Sequence, residues 1–251
     1  ELKWSRGGYD KTALSNVYTG NDLRTLQILD SVKKYVTDIN TVAGIGFCVS
    51  KAHAEYMALR FSQYNIPSAS LTSDSSDDVR KNVQKQLVSG EIKFVFTVDL
   101  YNEGVDIPEI NTILFLRPTE SLTVFLQQLG RGLRLSEGKD CLTVLDFIGQ
   151  ANKKYNFEQK FAALLANTNK SVQSEIKNGF ISLPKGCYLQ LEKKAKEYVL
   201  ENIKRAVGNK NAIISRMATF TEDSGLELTL ANFLEYYRLD ISTIYSTKTS
   251  F

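Results

Sequence analysis

The sequence predicts an α/β fold, a parallel sheet with helices on both faces that is followed by a mostly helical region. Two observations support this prediction. Between residues 44 and 148, short apolar runs alternate with segments in which apolar residues recur at helical spacing. The apolar runs are also nearly continuous, as expected for parallel strands that are buried on both faces.

Five strands and three helices account for this alternating region. The strands are predicted over residues 44–50, 68–71, 93–98, 112–116 and 141–147. The first helix is predicted over 51–64, the second between a cap at Ser76 and a stop at Gly90, and the third over 122–133.

The flanking regions differ from the alternating one and predict three parts in the chain. Residues 1–40 are expected to be a helical lead-in or linker, because a helix over 12–38 would place five apolar residues on or near one side: Leu23, Leu26, Ile28, Leu29 and Val32. Residues 41–150 form the predicted sheet domain. Residues 151–251 are predicted to be a mostly helical accessory domain, with helices over 157–165, 188–207 and 228–237.

Composition excludes several classes of protein. With 43% hydrophobic and 24% charged residues the chain is an ordinary globular protein. No apolar run approaches the roughly 18 residues of a membrane span, and no secretory signal is visible. Cys48, Cys141 and Cys187 are expected to be buried free thiols, and the single histidine, His53, cannot build a zinc site and is expected to be packed or on the surface. We therefore expect a cytoplasmic fragment of a longer protein, since the chain begins at Glu1 without methionine.

The densest group of candidate functional residues is QQLGRGLR, residues 127–134, at the end of the third helix. Arg131 and Arg134 are three residues apart, so both guanidinium groups leave the same helical face. Gly130 and Gly132 let a ligand or another backbone come close. Two permanently charged, forked donors suit a polyphosphate, and an arginine at a γ-phosphate stabilises the charge of the transition state. Ion pairs with a neighbouring element are the alternative.

Polar residues also follow the predicted strands. Thr97, Gly104 and Asp106 lie at and beyond the end of the third strand, and Ser50 ends the first. Ligands of doubly wound sheets collect at the carboxyl ends of strands, so these residues are candidates for phosphate or ribose contacts. The alternatives are a polar loop in which Asp106 caps its own turn, and Ser50 as an ordinary helix cap.

Taken in this order, the three groups resemble motifs IV, V and VI of the second RecA-like domain of superfamily 2 (DEAD/DEAH-box) helicases and translocases. Residues 46–50 resemble motif IV, residues 97–108 resemble motif V with its GxD core, and residues 127–134 resemble motif VI of the QxxGRxxR type. The phrases FLRPTES, FLQQLGRGLR and VLDFIG are similar to a bacterial branch related to UvrB and to restriction translocase subunits, which is often fused to a nuclease domain.

The resemblance implies a RecA-like, P-loop NTPase-type fold and the carboxyl half of an ATP-dependent helicase or translocase, for DNA more readily than RNA. Arg131 and Arg134 would be catalytic arginine fingers. The resemblance further implies ATP contacts at Gly104, Asp106, Gln127 and Gly130, and nucleic-acid contacts at Ser50, Thr72 and Thr97.

The sequence contains neither a GxxxxGK[ST] loop nor a strand that ends in an acidic pair. ATP and Mg²⁺ would therefore be held mainly by an amino-terminal RecA-like domain outside this chain, and the chain alone is expected to be inactive. The implied nucleic-acid partner is DNA, with RNA as the second choice. The implied protein partners are the amino-terminal RecA-like domain and a fused nuclease domain. No membrane partner is implied.

Two other functions are compatible with the residues. The chain could be a non-catalytic RecA-like module that binds DNA or protein through residues 153–210, where 12 basic residues face 5 acidic ones. Residues 226–246 could form a helix-turn-helix, but the second helix lacks Arg and Lys, so we expect this segment to serve packing.

Overall fold

The computed structural model describes residues 4–5, 8–98, 107–118, 122–147, 157–165, 171–205, 210–237 and 241. The chain forms two compact units, Glu1–Asn152 and Lys153–Phe251. The assignment of residues 1–40 to a linker from another domain stays a prediction.

The first unit is built on a five-stranded parallel sheet. Its strands are β3 (Gly44–Phe47), β4 (Ser68–Leu71), β5 (Phe94–Thr97), β6 (Thr112–Phe115) and β7 (Thr143–Asp146), after a short antiparallel hairpin of β1 (Trp4–Ser5) and β2 (Gly8–Tyr9). The spatial order is β4-β5-β3-β6-β7 and all neighbours are parallel. Each predicted strand contains one observed strand, and the predicted fold class is confirmed.

Five helices accompany this sheet: α1 (Lys11–Tyr18), α2 (Asp22–Tyr35), α3 (Lys51–Gln63), α4 (Asp77–Val88) and α5 (Leu122–Gly132). A short 3-10 turn, Ile39–Thr41, leads into β3. The predicted cap is confirmed at Ser76, whose side chain accepts a hydrogen bond from the Val79 backbone N–H. Beyond α4, Gly90 has a left-handed φ of 77°, which ends the helix at little steric cost.

The two faces of the sheet bury different helices. Leu114 and Leu116 lie in one apolar cluster with residues of α2 and α3. Phe115, which points to the opposite face because side chains alternate along a strand, packs against Phe125 of α5 with ring centroids 5.0 Å apart. Helices therefore cover both faces, as the continuous apolar runs predict.

Aromatic rings fill the centre of the α3 side. Phe61 meets Phe94 and Phe96 edge-on, with centroids 5.3 and 4.8 Å away. A Cβ at Gly44 or Gly46 of β3 would lie only 2.2 or 2.4 Å from these two rings. The central strand is thus glycine-rich because the phenylalanine rings of its neighbour β5 lie over it.

Two predictions, that five apolar residues share one side of the lead-in helix and that all three cysteines are buried, were wrong in part. Ile28, Leu29 and Val32 of α2 are buried, but Leu23 is 70% exposed because it lies on the outer side of that helix. Leu26 is likewise exposed. Cys48 is buried as expected, whereas Cys141 and Cys187 are exposed; apolar neighbours in the sequence did not bury these two thiols.

The second unit is helical in its described residues. Its helices are α6 (Phe157–Ala162), α7 (Val172–Asn178), α8 (Lys193–Arg205), α9 (Lys210–Ser224) and α10 (Leu230–Tyr237). Of these, α7 and α9 were not among the predicted helices. Phe233 and Tyr237 of α10 are buried against Ile213 and Phe220 of α9, so α10 packs on α9 as expected for this segment.

Candidate functional site

Three predicted site residues lie at the same edge of the sheet. Thr97 is the last residue of β5 and is in register with Leu71 of β4 on one side and Phe47 of β3 on the other. Thr72 directly follows β4, and Ser50 lies three residues beyond β3. Since neighbouring strands are about 4.8 Å apart, the structure brings these three residues together at the carboxyl edge.

Only one of the three, Ser50, is more than slightly exposed. Thr97 is 0% exposed, and its Oγ1 is buried without a hydrogen-bond partner among the described residues. Thr72 is 8% exposed, and its Oγ1 accepts a hydrogen bond from the Asp74 backbone N–H at 3.3 Å. Ser50 is partly exposed. Burying a hydroxyl group without a hydrogen-bond partner destabilises a folded protein by about 1–3 kcal/mol. The buried position of the Thr97 hydroxyl is therefore unfavourable.

Ser50 already has structural partners. Its Oγ caps α3 by accepting from the His53 backbone N–H at 3.1 Å. The same hydroxyl shares a hydrogen bond of 2.6 Å with Oγ of Ser15 in α1. The helix-cap alternative from the sequence is therefore correct for Ser50, and a nucleic-acid contact would be an additional role.

An ion pair joins the first residue of α3 to the loop that follows β4. Lys51 Nζ lies 2.7 and 2.6 Å from the two carboxylate oxygens of Asp74. The lysine holds the pKa of Asp74 below its ordinary value, first by hydrogen bonding and then by its charge. Because both side chains are largely exposed, the pair contributes little to stability.

Sequence reasoning missed two side chains at this edge, Tyr18 and Arg24. The Arg24 guanidinium donates from Nη2 to the carbonyls of Leu116 and Phe147, just beyond β6 and β7, at 3.4 and 3.5 Å. It also lies over the Tyr18 ring, 4.2 Å from the centroid. The amino-terminal helices thus occupy the carboxyl edge beside β6 and β7. Contacts with backbone carbonyls leave no sequence pattern, so no motif indicated them.

His53 is buried in this same region and serves the fold. Its Nδ1 accepts from the Val49 backbone N–H at 3.3 Å, and its ring lies 5.7 Å from that of Tyr18. Burial lowers the pKa of His53 from 6.5 to about 4, and the nearby Arg24 charge acts in the same direction. His53 is therefore neutral in the folded protein at pH 7.

We expect this histidine to make the protein less stable in mild acid. The unfolded chain takes up a proton near pH 6.5, but the folded chain does so only near pH 4. Stability that is present above pH 6.5 is therefore lost as the pH falls towards 4, by about 2 kcal/mol between pH 7 and pH 5. The measurement is urea unfolding at both pH values. The His53→Asn variant keeps a hydrogen-bond acceptor at this position but has no imidazole to protonate. Its free energy of unfolding should therefore fall by about 2 kcal/mol less between pH 7 and pH 5. An equal decrease in both proteins would contradict the assignment.

The predicted arginines lie away from the carboxyl edge. Helix α5 returns from the carboxyl end of β6, and a Cβ on its last residue, Gly132, would lie 2.8 Å from Ile113 and 2.6 Å from Leu142. Ile113 is the second residue of β6, and Leu142 precedes β7. Arg131, in the last turn of α5, and Arg134, just beyond it, therefore lie near the amino ends of β6 and β7. The structure does not bring them together with Ser50, Thr72 and Thr97.

The remaining predicted ATP contacts are only partly described. Gln127, Gly130 and Arg134 are exposed and Arg131 is partly exposed. The buried glutamine of α5 is Gln128, whose amide atoms have no hydrogen-bond partner among the described residues. Gly104 and Asp106 lie outside the described residues.

The five-stranded parallel sheet in the order β4-β5-β3-β6-β7, with helices on both faces, defines a RecA-like α/β domain. Residues 27–136 match the family model described as Helicase conserved C-terminal domain. This part of the chain is therefore similar to helicase C-terminal domains.

Curated relatives also match part of the chain. The chain is 36% identical to the putative ATP-dependent helicase IRC3 of Saccharomyces cerevisiae over 42% of its own length and 15% of the relative's. It is 35% identical to UvrABC system protein B of Fervidobacterium nodosum over 36% and 14% of the two lengths. For the type I restriction enzyme EcoKI endonuclease subunit of Escherichia coli the identity is 30%, over 43% and 10%. The predicted likeness to UvrB and restriction proteins is confirmed, and the chain matches only a small part of each relative.

Within the described residues, no helix is both long enough and apolar enough to span a lipid bilayer.

Proposed function

We propose that this chain forms the carboxyl half of an ATP-dependent helicase or translocase that acts on DNA more readily than on RNA. One observation supports the proposal best: one group of predicted residues lies at the carboxyl ends of β3, β4 and β5, and the other lies near the amino ends of β6 and β7. Ser50, Thr72 and Thr97 lie at the carboxyl edge, while Arg131 and Arg134 lie near the amino ends of β6 and β7. A motor needs separate sites for its track and its nucleotide, coupled through one body.

In the proposed ATP site, Arg131 and Arg134 donate hydrogen bonds to phosphate oxygens. Guanidinium groups suit this role because they keep their charge and present two parallel donors. A Cβ at Gly130 would meet no atom within 4 Å, so the backbone leaves open space beside Arg131. The further contacts with ATP in this proposal are Gln127, Gly104 and Asp106.

We assign the triphosphate and Mg²⁺ mainly to an amino-terminal RecA-like domain outside this chain. The described residues contain no group of three or more His, Cys, Asp or Glu side chains that could hold a metal ion. ATP hydrolysis supplies the free energy of the motor, and this chain contributes the arginines that complete the site. A nuclease domain in the same polypeptide is a further proposed partner, because one relative is named an endonuclease subunit.

Nucleic acid at the carboxyl edge would meet Ser50 first. Thr97 is buried between the ends of β3 and β4, so contact with its hydroxyl requires the loops after these strands to move apart. The exposed Lys51–Asp74 pair, which joins the start of α3 to the loop after β4, opposes this movement only weakly. In this proposal the Thr97 hydroxyl, which has no hydrogen-bond partner among the described residues, gains one when nucleic acid binds.

The test is ATP hydrolysis by the full-length polypeptide that contains this chain, measured alone and with single-stranded DNA, duplex DNA or RNA. We expect one form of DNA to raise kcat more than RNA does. Lys81→Ala, which removes an exposed lysine of α4, is the control and should respond as the native protein does. A kcat for ATP hydrolysis that no nucleic acid changes would exclude the proposed motor. A larger increase of kcat with RNA than with DNA would mean that the motor acts on RNA.

A non-catalytic binding module gives the opposite expectation. Changing Lys193, Lys194 and Lys196 to Glu would then abolish DNA binding, and Arg131→Ala would leave every activity unchanged. Lys193 and Lys194 are exposed, while Lys196 Nζ donates one hydrogen bond to the Lys177 carbonyl at 3.2 Å within the second unit.

A further inference from the structure

A tight turn follows α5 and directs one lysine back towards the helix. The turn spans residues 136–139, and the Lys139 backbone N–H donates to the Ser136 carbonyl at 3.3 Å. Gly138 has a left-handed φ of 75°, a conformation that glycine adopts without the strain of a side chain. The turn therefore depends on Gly138 and fixes where the Lys139 side chain starts.

The Lys139 ammonium group lies among three backbone carbonyls. Nζ donates to the carbonyls of Gly132 at 2.6 Å, Arg134 at 2.8 Å and Pro108 at 3.1 Å. An ammonium group has three N–H donors, so each donor has its own acceptor here. Burial lowers the pKa of Lys139, while the Glu109 charge acts in the opposite direction.

One of these carbonyls, that of Gly132, is the last of α5, and that of Arg134 lies just beyond the helix. The last carbonyls of a helix lack partners within the helix and carry partial negative charge, so a cation at this position is stabilising. Arg134 lies two residues beyond the last helical residue, Gly132, so the hydrogen bonds of the helix do not fix its backbone. Lys139 holds the carbonyl of Arg134 itself.

The third carbonyl belongs to the other side of the proposed ATP site. Pro108 lies two residues after Asp106, just before β6, and the intervening Ile107 is buried. One side chain thus joins the end of the motif V segment to the end of the motif VI segment.

We infer that Lys139 is a positioning residue that holds the backbone of Arg134 against the chain that follows Asp106. The inference rests on the proposed function, in which Arg134 and Asp106 both face ATP. Lys139 acts on catalysis through the position of the guanidinium group, and a displacement of about 1 Å can cost about a hundredfold in rate.

The experiment compares Lys139→Met, Lys139→Arg and Arg134→Ala in the full-length polypeptide, with Lys81→Met as the matched control. We expect Lys139→Met to lower kcat for ATP hydrolysis about 10- to 100-fold, with KM changed less than about threefold. Lys139→Arg retains a cation with several N–H donors and should recover most of the loss. Lys81→Met should match the native protein.

A double variant separates positioning from general stability. If Lys139 acts through Arg134, Lys139→Met should slow the Arg134→Ala enzyme less than about twofold, because the group that it positions is already gone. Loss of the full factor in both backgrounds would overturn the inference, as would a Lys139→Met enzyme with native kcat beside an impaired Arg134→Ala enzyme. If Arg134→Ala itself hydrolyses ATP at the native rate, the proposed function fails, and the inference fails with it.

Discussion

Arg131→Ala and Arg134→Ala should each raise the barrier to ATP hydrolysis by about 2–4 kcal/mol in the full-length polypeptide, which lowers kcat by a factor of about 30 to 1000. The reason is that a guanidinium group at the transferred phosphoryl group binds the charge of the transition state more strongly than that of the ground state. Nucleic-acid affinity without ATP should change little, because these arginines lie near the amino ends of β6 and β7. Steady-state hydrolysis and fluorescence anisotropy with labelled DNA measure the two effects.

A conservative variant separates the effect of the Arg134 charge on kcat from the effect of the shape of its side chain. Arg134→Lys keeps the positive charge but loses the planar fork, so we expect a kcat between those of the native and Arg134→Ala enzymes. Lys81→Ala again serves as the control for an exposed charge. Weaker DNA binding without ATP in Arg134→Ala would contradict the separation of the two sites.

Phe61→Ala should lower the free energy of unfolding by about 3–5 kcal/mol, since it removes a buried ring and leaves a cavity. Phe61 is fully buried and packs edge-on against both Phe94 and Phe96, which lie next to the glycines of the central strand. Few neighbours could fill the space, because the strands are fixed by their pairing. Chemical denaturation followed by circular dichroism gives the value.

The same helix provides the control for this substitution. Leu59 lies in α3 but is 58% exposed, so Leu59→Ala removes apolar atoms without a cavity. We expect a change within about 0.5 kcal/mol, as for other surface positions. A loss below about 1 kcal/mol for Phe61→Ala would mean that the aromatic cluster is not central to the stability of the sheet.

The sheet could be predicted because each strand is recognisable from its own residues. The apolar runs are short and continuous, and the polar and glycine residues between them end each element, so β4 begins and ends where the sequence indicates. The hairpin of β1 and β2 could not be found in this way. Each of its strands has two residues, too few to show alternation.

The site was predictable at the level of motifs and less so at the level of single side chains. Thr97 was expected to face a ligand, but its place between β3 and β4 buries it. Gln127 and Gln128 are neighbours that point about 100° apart on a helix, and only the packing of α5 decides which is buried. The partners of Lys139 are backbone carbonyls, which every residue has, so its position depends on tertiary structure alone.

The strand order also has a consequence for the chain during synthesis. Central strand β3 is made before both of its partners, so the edge that pairs with β5 stays open until Thr97 is released, and the edge that pairs with β6 stays open until Phe115 is released. An apolar strand whose edges lack hydrogen-bond partners can pair with strands of other chains and aggregate. Nascent chains shorter than this length are therefore the stage at which the protein most needs a chaperone, and a pause in translation after β6 would help the sheet to close.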